Sequence, residues 1–113
     1  MIELTKGQKK TCRLLIDRAL QRECGNFLNA TKTLLQKMNQ NEKSPHDNYL
    51  DLFKEVYSFD KHIARCYDNM TGARYLLTIL NLYGTDMLTD EDISLFDEEM
   101  QERIRQWKKV FRR

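Results

Sequence analysis

The stretch SPHDNYLDLFKEVYSFDKHIARCYDNM, Ser44–Met70, decides the fold. Ser44 before Pro45, with Asp47 in the next turn, marks a helix start. The serine hydroxyl caps a first-turn amide, and proline lacks only a hydrogen that the first turn leaves unused. Behind this start, apolar residues recur at Tyr49, Leu52, Val56, Phe59, Ile63, Cys66 and Met70. Their alternating spacing of three and four lays them along one helical seam. Phe53, Tyr57 and Tyr67 widen the seam beyond a two-stranded coiled-coil stripe to the breadth of a bundle face.

Downstream, Asp68–Gly72 is poor helix sequence, yet the seam resumes in register at Ala73, Leu77 and Leu80. The reading favours a break or sharp kink at residues 68–72. Thr71 then caps a short helix from Gly72 to Tyr83, and Gly84 closes it as the residue just past its end. Without the break, residues 45–83 form one long helix. A last helix opens at Thr89, where Asp92 three residues on resembles a capping box and Leu88 and Ile93 occupy the staple positions. Its stripe is Ile93, Phe96, Met100, Ile104, Trp107 and Phe111, with acids at its start and bases at its end, both favourable to the helix dipole.

Upstream, apolar residues from Cys12 to Met38 keep helical spacing over a segment running from about Thr5 to Asn39. Gly25 interrupts propensity without changing the phase, so one helix with a kink there is expected. A polar loop, Asn39–Ser44, joins it to the helix at Pro45. The expected fold is all-α: an antiparallel up-and-down bundle of four helices, or of three long helices if residues 68–72 do not break the second. The 113 residues are expected to form one domain, 1–113.

Charge is unevenly laid out. The formal net charge is +2, but residues 1–22 carry +4, residues 103–113 carry +6 and residues 23–102 carry −8. In the four-helix version the first helix starts and the last ends at the same pole. Lys6, Lys9, Lys10, Arg13, Arg105, Lys108, Lys109, Arg112 and Arg113 are then candidate polyanion-binding residues, with Trp107 and Phe111 as bases' stacking partners if exposed. The competing reading puts both aromatics in the core and the bases on a solvated face.

Catalytic and metal signatures are missing. His62 and Cys66, four residues apart, share a helix face, but no further ligand stands at a fixed spacing, and there is no C-x-x-C, H-E-x-x-H or E-x-x-H. The glycines, at positions 7, 25, 72 and 84, are isolated and build no phosphate loop. No enzyme activity and no cofactor are expected. Cys12 and Cys24, on one helix, stand about 18 Å apart, too far to bridge, and a third cysteine, Cys66, makes the number odd. A reducing, cytoplasmic setting is expected. The opening residues lack the apolar stretch of a signal peptide, no apolar run is long enough to span a bilayer, and Arg112-Arg113 is not a prenylation box.

The expected function is therefore a non-enzymatic helical protein–protein interaction module, with a protein partner or a second copy. Nucleic-acid or other polyanion binding through the basic pole is the alternative. In the three-helix version, Phe27, Leu28, Leu34, Leu35, Leu52, Phe53 and Val56 are left uncovered, and an apolar patch of that size needs a partner.

Overall fold

Thr5 and Gln8 open the first helix with a reciprocal cap. The Thr5 amide donates to the Gln8 side chain at 2.9 Å, and the Gln8 amide donates to the Thr5 hydroxyl at 3.1 Å. In the computed structural model, which describes residues 3–111 with side chains as far as Val110, this helix, α1, runs unbroken over Lys6–Met38. Gly25 does not interrupt it. Four more helices follow: α2 (Pro45–Tyr67), α3 (Gly72–Gly84), α4 (Asp90–Ile93) and α5 (Glu98–Phe111). The chain is all-α, with no strand among the described residues.

The expected start of α2 is formed as read: the Ser44 hydroxyl accepts from the Asp47 amide at 3.1 Å, with Pro45 in the first turn. Residues 68–72 do break the seam. Asn69 takes a left-handed conformation, φ 58°, which asparagine tolerates better than most residues. Thr71 then stands at the cap position of α3, its side chain making no capping bond. Gly84 is not the left-handed residue after α3. It is the last helical residue, packed under Trp107, and Asp86 takes the positive φ instead, at 63°.

Thr89 and Asp92 form the expected capping box, but the helix it opens lasts a single turn. A second cap begins α5: the Asp97 carboxylate accepts from the Met100 amide at 2.9 Å. The expected single helix from Thr89 is thus two. Ile93, Phe96, Met100 and Ile104 are all buried on both sides of the interruption, so the apolar stripe keeps its phase across it.

The chain divides into two compact units, residues up to Arg22 together with those from Asn69 onward, and Glu23–Asp68. The first unit owns the core. Cys12, Leu15, Ile16 and Ala19 from α1 are buried, as are Ile79, Leu82 and Tyr83 from α3, Leu88, and the stripe just named. Asp92 fastens this unit. It is 3% exposed, and its carboxylate accepts from Arg18 at 2.8 Å and from Arg22 at 2.6 Å while also bonding the Thr89 amide and hydroxyl. Burial alone would push the Asp92 carboxyl up. The bonds from Arg22, Thr89 and Arg18 outweigh it and hold the group well below the usual carboxylate range.

Within the same unit, Gln8 bonds Asp97 at 3.0 Å, so α1 and α5 begin side by side. The end of α5 lies instead by the end of α3, with Lys108 over the Tyr83 ring at 3.9 Å and Trp107 against Gly84. The segment 85–97 carries the chain back before α5 sets out, and α5 therefore does not return toward the start of α1.

Candidate interaction surface

The second unit is a helical hairpin made of the latter part of α1 and all of α2. Its two arms are antiparallel and their register is fixed by several pairs. Glu23 meets His62 at 2.6 Å and accepts from the Tyr67 hydroxyl at 2.8 Å. Phe27 stacks on Phe59 with ring centroids 4.1 Å apart. The Met38 carbonyl accepts from the Asn48 side chain at 3.3 Å near the turn, where Asn41 also bonds Asn48 and Lys43 pairs with Asp51.

None of its residues, 23–68, is buried. Two amphipathic helices close only one seam between them, and the seam residues here (Cys24, Phe27, Leu34 and Met38 against Leu52, Phe59, Ile63 and Cys66) reach only intermediate exposure. A second apolar stripe on each arm is exposed. Leu28 is 66% exposed and Phe53 56%, and Leu35, Tyr49, Leu50, Val56 and Tyr57 are exposed with them.

Helical geometry places these stripes on one side. At about 100° per residue, Leu28 and Leu35 lie roughly 80° further round α1 than the side turned to α2. Tyr49, Phe53, Val56 and Tyr57 lie roughly 100° further round α2 than the side turned to α1, in the same rotational sense. Antiparallel helices turn in opposite senses when viewed from one end, so both displaced stripes emerge on the same face of the hairpin. In the first unit the exposed large apolar residues, Leu14, Leu77, Leu95 and Val110, stand singly in sequence, which is ordinary for a surface.

The polar cluster on the hairpin seam is built for cohesion. Burial and then the Glu23 carboxylate push the Tyr67 phenol up, so it stays protonated and donates to Glu23. The Cys66 thiol lies 3.8 Å from His62 Nδ1, and burial followed by Glu23 raises it too, which disfavours the thiolate a nucleophile needs. Among the described residues no three histidine, cysteine, aspartate or glutamate side chains are grouped to hold a metal ion.

The candidate polyanion-binding residues fall into two groups. Lys6, Lys10 and Arg13 are exposed along the start of α1, Arg13 over the Tyr75 ring at 5.9 Å. Lys9 lines a groove of about 660 Å³ whose other walls include Leu4, Leu76, Leu77 and Leu80. Arg105, Lys108 and Lys109 share a cleft with Tyr83 and Asp90 near the end of α5, where Tyr83 donates to Asp90 and Lys108 pairs with Asp86 at 3.3 Å. Lys108 stands about 16 Å along α5 from Asp97, the residue beside Gln8. Because α5 begins rather than ends beside the start of α1, Lys108 and Lys109 lie further along the unit than Lys6 and Lys10. Trp107 is half-buried against Gly84 rather than presented for stacking. Arg112, Arg113 and the Phe111 side chain lie outside the described residues.

Sequence reasoning found the wide apolar faces but tied their exposure to an unbroken second helix. The break is present and the face is exposed all the same. The signal that locates it is the second stripe on each arm, Leu28 with Leu35 and Tyr49 with Phe53, Val56 and Tyr57. No helix of the described residues is long and apolar enough to cross a membrane. Comparison of the chain with protein-family models, with curated proteins and with solved structures gives no match in any of the three.

Proposed function

We propose that this chain is a non-enzymatic protein–protein interaction module that binds through the apolar face of its 23–68 hairpin. The observation that carries this reading is a unit of two helices with no buried residue and an exposed apolar stripe on each arm. Helical segments of this length draw most of their stability from packing of an amphipathic face, and here half of that face is unused. Contiguous exposed apolar surface of this extent marks interaction sites. The first unit has its own core and the Asp92 fastening. A reducing, cytoplasmic setting suits the three free cysteines, Cys12, Cys24 and Cys66.

A double substitution, Leu28→Ser with Phe53→Ser, tests the reading. At high dilution, helicity and melting temperature should match the wild type within experimental error, because neither side chain supports the isolated chain's core. A dye that fluoresces on apolar surface should bind the wild type and lose most of that binding in the variant. If the variant instead unfolds at wild-type conditions, the face is internal core and the proposal fails.

A further inference from the structure

The hairpin's apolar face has a symmetry that singles out its partner. We infer that the partner is a second copy of this chain, its hairpin laid head to tail across the first to make an intermolecular four-helix bundle. The inference rests on the interaction-module reading and adds to it the identity and direction of the partner.

A two-fold interface sets the same patch against itself, so its residues must be balanced about a single level along the helices. The hairpin register gives that level. With Phe27 beside Phe59 and the Met38 carbonyl bonded to Asn48, the point midway between Leu28 and Leu35 on α1 stands level with the point midway between Phe53 and Val56 on α2. A half-turn about an axis through that level, crossing the helices within the apolar face, sets Leu28 on Leu35 of the second copy. The same half-turn sets Phe53 on Val56 of the second copy and Tyr49 by its Asp60. The central pairs of both helices, Leu28 with Leu35 and Phe53 with Val56, are thus matched by one axis, which an unrelated partner would not require of the sequence.

The area is of the right order. At roughly 200 Å² per large side chain, the exposed parts of Leu28, Leu35, Tyr49, Phe53, Val56 and Tyr57 present about 650 Å². A standard stable interface buries about 800 Å² on each side, and the half-exposed seam residues beneath the face supply the remainder. Charge does not oppose the pairing: residues 23–68 hold seven acids and six bases, so two hairpins meet nearly neutral.

Sedimentation equilibrium over a wide concentration range, with cross-linking of mixed isotope-labelled and unlabelled wild-type chains, tests the inference. A dimer is expected. Amine-reactive links between copies should join Lys32 to Lys32 and Lys54 to Lys54, which lie near the axis, but not Lys43 to Lys43 at the two distant turns. Phe53→Glu and, separately, Leu28→Glu should each weaken association at least 100-fold while leaving helicity intact at high dilution. A dimer linked through Lys43 would overturn the head-to-tail arrangement. A monomer at every concentration would overturn the second copy as partner. Loss of the module reading itself would look different: a monomer whose hairpin amides are protected from exchange as strongly as the first unit's core.

Discussion

Asp92→Ala should lower stability by about 3 kcal/mol, combining the loss of a helix cap at ~1 kcal/mol with charge-assisted bonds to a buried carboxylate at ~1.5–3 kcal/mol. The effect is large because one side chain closes the capping box with Thr89 and ties α1 to α4 through Arg18 and Arg22. Both arginines keep about two-fifths of their side-chain surface in solvent, so they regain water in the variant and the loss stays below that of a fully buried pair. The melting temperature should fall on the order of 10 °C. Asp92→Asn, which keeps the shape and removes the charge, isolates the electrostatic part. The folded-state carboxyl is held below its ordinary value, so its contribution is complete above about pH 4, the unfolded value, and declines as pH falls below it. Thermal melts of wild type and Asp92→Asn should therefore converge steadily under acid. A gap that stays constant from neutral pH to pH ~2 would contradict this account of the carboxylate.

The second large effect contrasts neighbours on α1. Leu15 is fully buried and Leu14 is 52% exposed. Leu15→Ala removes packed atoms from the first unit's core and should cost about 2–5 kcal/mol, whereas Leu14→Ala should cost under about 1 kcal/mol. Urea titrations of the two variants check this, and a substantial loss from Leu14→Ala would mean that α1 packs on another face. The contrast also bears on the hairpin. Leu28, on the same helix, belongs with Leu14 in its effect on the dilute chain, though it lies in an apolar face rather than alone.

How far the sequence revealed this depends on the range of each interaction. Ser44-Pro45, the Thr89–Asp92 box and the break before Gly72 are local chemistry, decided within a few residues, and all three are formed. The interruption at Ser94–Asp97 was hidden because Ile93, Phe96, Met100 and Ile104 hold one helical phase across it. The clue was Asp97 ahead of Glu98 and Glu99, a second cap with acids in its first turn. Gly84 invited a left-handed ending, but Asp86 meets that need two residues later, leaving Gly84 under Trp107. The direction of α5 depends on the segment 85–97, whose return path no periodicity encodes, so the end of α5 was placed beside the start of α1 when its beginning lies there. For the hairpin, the width of the apolar stripes was legible in residues 24–70. Which part is covered is a tertiary matter: the core of the first unit takes Cys12–Ala19 of α1 and leaves Leu28 and Leu35 exposed.

The most direct test of the central claim is hydrogen exchange followed residue by residue at low and high protein concentration. In the dilute protein, amides of α2 and of α1 beyond Glu23 should exchange far faster than those of Leu15, Ile79 and Ile104, since a hairpin without buried residues opens locally at little cost. Their protection should rise as concentration rises, while that of the first unit's core stays unchanged. Strong, concentration-independent protection of the hairpin, equal to that of the core, would show that it needs no partner and would contradict the account.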